Sequence, residues 1–291
     1  YYRSLYNQDI QDALNYLKET DHEFYRVEKD FSSGTVSMDS QIQGYRGVST
    51  YNSVMNGNVK EFVNTCYPEF LYMDRNRYTF WPIAQDTFFA SFMGVRYLIS
   101  EKPDLDDTKY KYLRQFGQLF LYKNVKEADI ARFYENTVSE ESLRKLCTGK
   151  KRKKNRERIL ENYLVTEDGV DISDFSELTE VLEKQKKSAV TLDVAEKDSH
   201  LTGSVSAQAD GYVMCMIPWE KGWTVTVDGE KVQTQKGDLG FLAFQVDKGE
   251  HQLELTYQVP GLKAGMAAGA VCWFIYISIC FYQSRKKKRN L

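Results

Sequence analysis

The alternation of apolar and polar positions changes character along the chain. Ile10, Leu14 and Leu17 recur at helical spacing within Asn7 to Thr20, and Asn7 is placed to cap that helix. Phe24 to Val27 reads as a short strand, and Asn58 to Cys66 and Asp86 to Met93 read as short helices. Gly94 breaks the latter before a continuous apolar strand, Val95 to Ile99, and Leu119 to Tyr122 reads as its hairpin partner across a turn at Gly117. Leu178 to Lys187 reads as a charged helix. Beyond it the period becomes two, in Val190 to Val194, Tyr212 to Met216, Trp223 to Val227, Phe241 to Phe244 and Leu253 to Tyr257. Asp228-Gly229 is a two-residue hairpin signal between two such runs. An α+β N-terminal unit followed by an antiparallel β-sandwich is the fold this pattern predicts.

The last pattern is apolar throughout. Ala264 to Tyr282 carries no charge, and as a helix it spans roughly 28 Å, close to a bilayer's hydrocarbon thickness. Arg285, Lys286, Lys287, Lys288 and Arg289 follow at once, which marks the tail as cytoplasmic and the large region as extracytoplasmic at the cell membrane. Gly261, Gly265 and Gly269 recur every four residues, a strip of small side chains that lets another membrane helix approach closely. The expected division is 1–149 for the α+β domain, 150–162 for a basic linker, 163–260 for the sandwich, 261–284 for the membrane helix and 285–291 for the tail. Lys150 to Arg158 holds no apolar residue, so it is expected as a loop or linker, solvated or facing anionic lipid or a polyphosphate polymer. The chain opens at Tyr1 without an initiator Met, and an outward domain needs an export signal upstream, so the expectation is a C-terminal piece of a longer protein.

Charge and cysteine content narrow the classes. Setting aside the five terminal cations leaves 34 basic against 41 acidic residues, a balance that disfavours nucleic acid as a partner. Cys272 and Cys280 fall in the membrane segment, and Cys66, Cys147 and Cys215 are too widely spaced for a disulfide framework or zinc site, so each reads as apolar packing. His22, His200 and His251 stand singly, and no nucleophile elbow or phosphate-cradling loop is present. Asp104, Asp106 and Asp107 lack the glycine and distal Glu of a calcium loop and read as a solvated turn. No catalytic residue and no metal ligand stand out, which places a hydrolase low.

Two places suit a polar ligand. Gly44 to Ser53 is dense in hydrogen-bonding groups, and Tyr45, Arg46, Tyr51 and Asn52 are the contacts it offers to a glycan or phosphate, against the plain reading of a structural loop. Arg46 suits a bidentate phosphate pair. Trp219 and Trp223 flank Glu220-Lys221-Gly222 and either stack on sugar rings or fill the sandwich core.

Ile217 to Val232 resembles the C-terminal signature of YfhO-type bacterial membrane proteins, as do Gly240 to Phe244, Lys248 to His251, Leu253 to Tyr257 and Pro260-Gly261 before the last membrane helix. Val48 to Ser53 and Met93 to Ser100 look like that family's two other recurrent blocks, in the same order. The resemblance implies a polytopic protein similar to class C glycosyltransferases, with a polyprenyl-phosphate sugar donor and an envelope polymer such as lipoteichoic acid as acceptor. It places the catalytic carboxylate in an early outer loop to which no position here corresponds, so no cofactor and no catalytic residue are carried over. Upstream membrane helices of the same chain become expected partners, and this region shapes the acceptor side without catalysing. The alternative is a membrane-tethered, non-enzymatic surface module that binds envelope glycans or protein.

Overall fold

A computed structural model of the chain describes residues 7–31, 39–51, 56–72, 77–78, 86–126, 129–173, 189–197 and 199–289. Its first half runs α1 (Gln8–Thr20), β1 (Arg26–Lys29), α2 (Asp39–Gln43), β2 (Thr50–Tyr51), α3 (Gly57–Cys66), β3 (Leu71–Tyr72), β4 (Arg77–Tyr78), α4 (Thr87–Phe92), β5 (Val95–Ser100), β6 (Tyr110–Phe116) and β7 (Leu119–Asn124). Next come β8 (Ala131–Tyr134), β9 (Thr137–Ser139), α5 (Glu140–Leu146), α6 (Arg152–Asn162) and β10 (Leu164–Thr166). Asn7 caps α1 as its position predicts, accepting from the backbone N–H groups of Asp9 and Ile10 at 2.9 and 3.3 Å. The buried stripe of α1, Ile10, Ala13, Leu14 and Leu17, covers one face of a mixed sheet ordered β1-β5-β7-β6, in a cluster with Val27, Tyr97, Ile99, Leu119 and Leu121. β7 does pair antiparallel with β5, but Gly117, at φ 56°, turns β6 into β7; β6 is a strand that the sequence reading lacked. The first strand also begins two residues later than expected, at Arg26.

The sandwich forms as expected. One sheet is ordered β11-β12-β18-β14-β15, from β11 (Ala189–Lys197), β12 (His200–Ala207), β14 (Trp223–Val227), β15 (Glu230–Val232) and β18 (Gly249–Tyr257). Asp228 and Gly229, both at positive φ, make the β14–β15 turn. The other sheet is ordered β16-β17-β13-β8, from β16 (Thr234–Gly237), β17 (Phe241–Val246), β13 (Gly211–Pro218) and the early strand β8. Phe241 to Phe244 are all buried, because this second sheet is covered on both faces. Phe241 meets Phe62 of α3 at 4.9 Å between ring centroids, and Phe62 stacks on Phe92 of α4 at 5.6 Å. One apolar core therefore runs from Val48 to Leu255, with β8 contributed from before the expected boundary at 149.

The basic run corrects the linker expectation. Gly149–Lys151 is a 3-10 turn that leads directly into α6. Ile159 and Leu160 are buried, and so is Arg156, at 1% exposure. The Arg156 guanidinium lies 3.6 Å from the Tyr67 ring centroid, donates to the Cys66 carbonyl and pairs with Glu69 at 3.3 Å. A run without apolar residues is thus pinned by one buried cation. The charged helix expected at Leu178 to Lys187 lies outside the described residues.

The C-terminal helix runs Leu262–Arg289; its segment Leu262–Arg285 contains an 18-residue window of mean hydropathy 1.9 and is long and apolar enough to cross a membrane. Cys66, Cys147 and Cys215 are buried free thiols, as the packing reading expects.

Candidate functional site

The chain is clamped just before that terminal helix. Asn56 caps α3, accepting from Asn58 N and Val59 N at 3.0 and 3.2 Å, and its amide donates to Glu220 Oε1 at 2.7 Å. The second Glu220 oxygen accepts from the Tyr257 hydroxyl at 2.5 Å, and this bond raises the Tyr257 pKa. Asn58 donates its amide to the Trp219 carbonyl at 2.7 Å, and Trp219 N donates to the Gly240 carbonyl at 2.9 Å. Trp223 packs on Tyr257 at 5.1 Å, and Gln258 N donates to the Gly222 carbonyl at 3.0 Å. Val259, Pro260 and Gly261 then lead into the terminal helix.

Two glycines make this closeness possible. A Cβ on Gly240 would sit 2.7 Å from the Asn58 carbonyl oxygen, and one on Gly222 would sit 2.4 Å from that of Gln258. Glu220 thereby joins three segments, the α3 cap, the Trp219–Trp223 turn and the end of β18. Charge-assisted bonds of this kind are about twice as strong as neutral ones. Both tryptophans are half-buried, packed as the core-filling reading expects. The Trp219 indole Nε1 is buried without a hydrogen-bond partner among the described residues.

Tyr45 and Arg46 belong to a separate cluster at the end of β1. The Glu28 carboxylate is buried there and accepts from Val48 N, from Ser49 N at 2.7 Å and from Ser49 Oγ at 2.8 Å. Burial raises its pKa, against the pull of those same donors. Tyr45 donates to Asp39 at 3.4 Å, and Asp39 pairs with the buried Lys29. Arg46 is exposed over the Phe24 ring at 4.9 Å, and its carbonyl accepts from Val27 N at 2.9 Å. Tyr51 lies in β2, paired with Arg77 of β4, and Asn52 is outside the described residues. No described contact joins Tyr45 or Arg46 to the tryptophans.

Asn56, Asn58, Gly240, Tyr257 and Glu28 were absent from the sequence candidates. Asn56-Gly57 before an apolar run is a capping signal, and Glu220 between two tryptophans is a second; neither reveals that they meet. Gly261 has φ 78° ahead of the helix, and Gly265 and Gly269 have no neighbour within 4 Å of an added Cβ. Arg285 is exposed, and Lys286, Lys287, Lys288 and Arg289 continue the helical backbone. His200 pairs with Glu254 at 2.9 Å and His251 with Asp228 at 2.7 Å; no group of three metal-ligating side chains occurs among the described residues. Asp106 accepts from the Thr108 hydroxyl and pairs with Lys109, consistent with a solvated turn.

The sequence family described as bacterial membrane protein YfhO matches residues 1–172 and 162–268. Over 93 residues the chain is 33% identical to the uncharacterized protein YfhO of Bacillus subtilis (strain 168). That stretch is 32% of this chain and 10% of the relative's length. No solved structure matches.

Proposed function

The chain belongs to the YfhO family of bacterial membrane proteins, and on that premise we propose that it forms the outward-facing, non-catalytic C-terminal region of a polytopic envelope glycosyltransferase. In this reading the sugar arrives on a polyprenyl phosphate, other membrane helices of the protein carry the transfer chemistry, and this region positions a teichoic-acid-like acceptor. The observation that supports it is the Glu220 junction. Residues from two of the ordered sequence segments, around Trp219 and at the end of β18, meet the α3 cap Asn56 at one carboxylate shortly before the membrane helix. In this reading the joint fixes the end of β18 against α3, with four residues between it and the terminal helix, and so gives an acceptor-positioning platform a firm base.

The test is transfer of labelled sugar from polyprenyl phosphate to purified envelope polymer by the intact protein in membrane vesicles. Expected is transfer that drops several-fold in Glu220→Ala with donor turnover by water retained. Absence of any transfer by the intact wild-type protein, or of any change in polymer glycosylation on deleting the gene, overturns the reading.

A further inference from the structure

The cations at the α5–α6 corner divide into two sets. Arg152 pairs with Glu69 at 3.3 Å, Lys153 with Asp86 at 3.2 Å and Glu157 at 3.7 Å, and Arg156 with Glu69 from its buried position. These hold α6 onto the core. Lys150, Lys151 and Lys154 are exposed and make no ion pair among the described residues. They crowd the start of a helix whose first turn has no acidic residue and whose N-cap, Lys151, supplies no side-chain capping bond. Cations at a helix N-terminus oppose the macrodipole, at about 0.3–1 kcal/mol each. Among the described residues no ion pair offsets that cost for these three, which leaves their charge available to a partner.

We propose that this corner is a docking surface for a flexible polymer of closely spaced phosphates that carries no bases, engaged by Lys150, Lys151 and Lys154. An exposed ion pair contributes about 1 kcal/mol or less, so useful affinity needs a partner that meets several cations at once. Residues 150–158 include no aromatic side chain on which a nucleic-acid base stacks and no apolar one to enter a bilayer. The corner also stands away from the membrane junction. The 10-residue α3 is gripped at its cap by Glu220 and at its final carbonyl by Arg156, and its length of about 15 Å exceeds the ~8 Å range of exposed charges at physiological salt. The inference deepens the envelope-polymer reading and rests on it only for the polymer's source.

The experiment is direct binding of long-chain inorganic polyphosphate to the intact protein in zwitterionic nanodiscs. The comparison is with the triple variant Lys150→Gln, Lys151→Gln, Lys154→Gln and the charge-keeping triple Lys→Arg. Expected are about tenfold weaker binding by the Gln variant, a log–log salt slope shallower by about 2–3, and full retention by the Arg variant. Equal binding by wild type and Gln variant overturns the proposal. So does lysine-dependent binding to phosphatidylglycerol vesicles without binding to polyphosphate, or equal affinity for an unstructured oligonucleotide or for monomeric phosphate. Failure of the sugar-transfer test with polyphosphate binding intact removes the glycosyltransferase reading and leaves this one standing.

Discussion

Asp238→Asn should stabilise the protein by an amount that grows with pH. Asp238 is fully buried at positive φ in the turn between β16 and β17. Its backbone N–H donates to the Val165 carbonyl at 2.8 Å, and its Oδ1 accepts from Val165 N at 2.8 Å, while Oδ2 has no partner among the described residues. Burial pushes its pKa from 3.8 up to about 8, against the pull of the Val165 bond and of Arg132. Below pH 3.8 the group is protonated in both folded and unfolded chains, and its contribution to stability is fully present. As pH rises toward about 8, the folded chain holds a proton that the unfolded chain releases, so stability falls by ~1.4 kcal/mol per unit. Between pH 5 and 7 this amounts to ~3 kcal/mol. Asparagine tolerates the left-handed backbone, keeps an acceptor for Val165 and does not titrate. Thermal melts of wild type and variant in the same detergent at pH 5, 6, 7 and 8 isolate the effect, because the raised pKa of Glu28 is common to both. The variant's advantage should widen by roughly 5–10 °C from pH 5 to 7. A gap that is flat, or that widens toward acid, refutes the reasoning.

Arg156→Met should cost about 3–5 kcal/mol, because it strands the Cys66 carbonyl and leaves Glu69 and Asp86 with exposed cations alone; Arg156→Lys should not rescue the melting temperature, since one ammonium cannot at once cover the Tyr67 ring, donate to Cys66 and reach Glu69 as the guanidinium fork does. Gly240→Ala should cost on the order of 1–3 kcal/mol by pushing α3 off the Trp219 turn, read as a lowered denaturation midpoint. Arg46→Ala should impair sugar transfer by the intact protein while leaving its melting temperature within a degree or so of wild type; unchanged transfer removes Arg46 as a ligand contact. Gln283→Cys, beside the basic tail, should react with an impermeant maleimide only after cells are opened. The buried thiols Cys147 and Cys215, their pKa values raised to about 11 and about 12, should stay silent in the native protein. Labelling at position 283 on intact cells reverses the topology.

Features with a local cause were legible in the residues alone. The α1 stripe of Ile10, Leu14 and Leu17 with its Asn7 cap, the Asp228-Gly229 turn and the apolar terminal helix each follow from short-range periodicity and backbone preference. Tertiary structure decided the rest. The basic run is a helix because Tyr67 and Glu69, far back in the chain, receive Arg156, and no local pattern announces that. β8 joins the sandwich through β13 across a boundary that composition alone would draw between them. The candidate site shows the same division: the tryptophans were visible, but Asn56, Glu220 and Tyr257 become one network only when β18 and the α3 cap are brought side by side. Periodicity states which face of an element is apolar; which distant face covers it is settled by packing that closes one core over both halves of the chain.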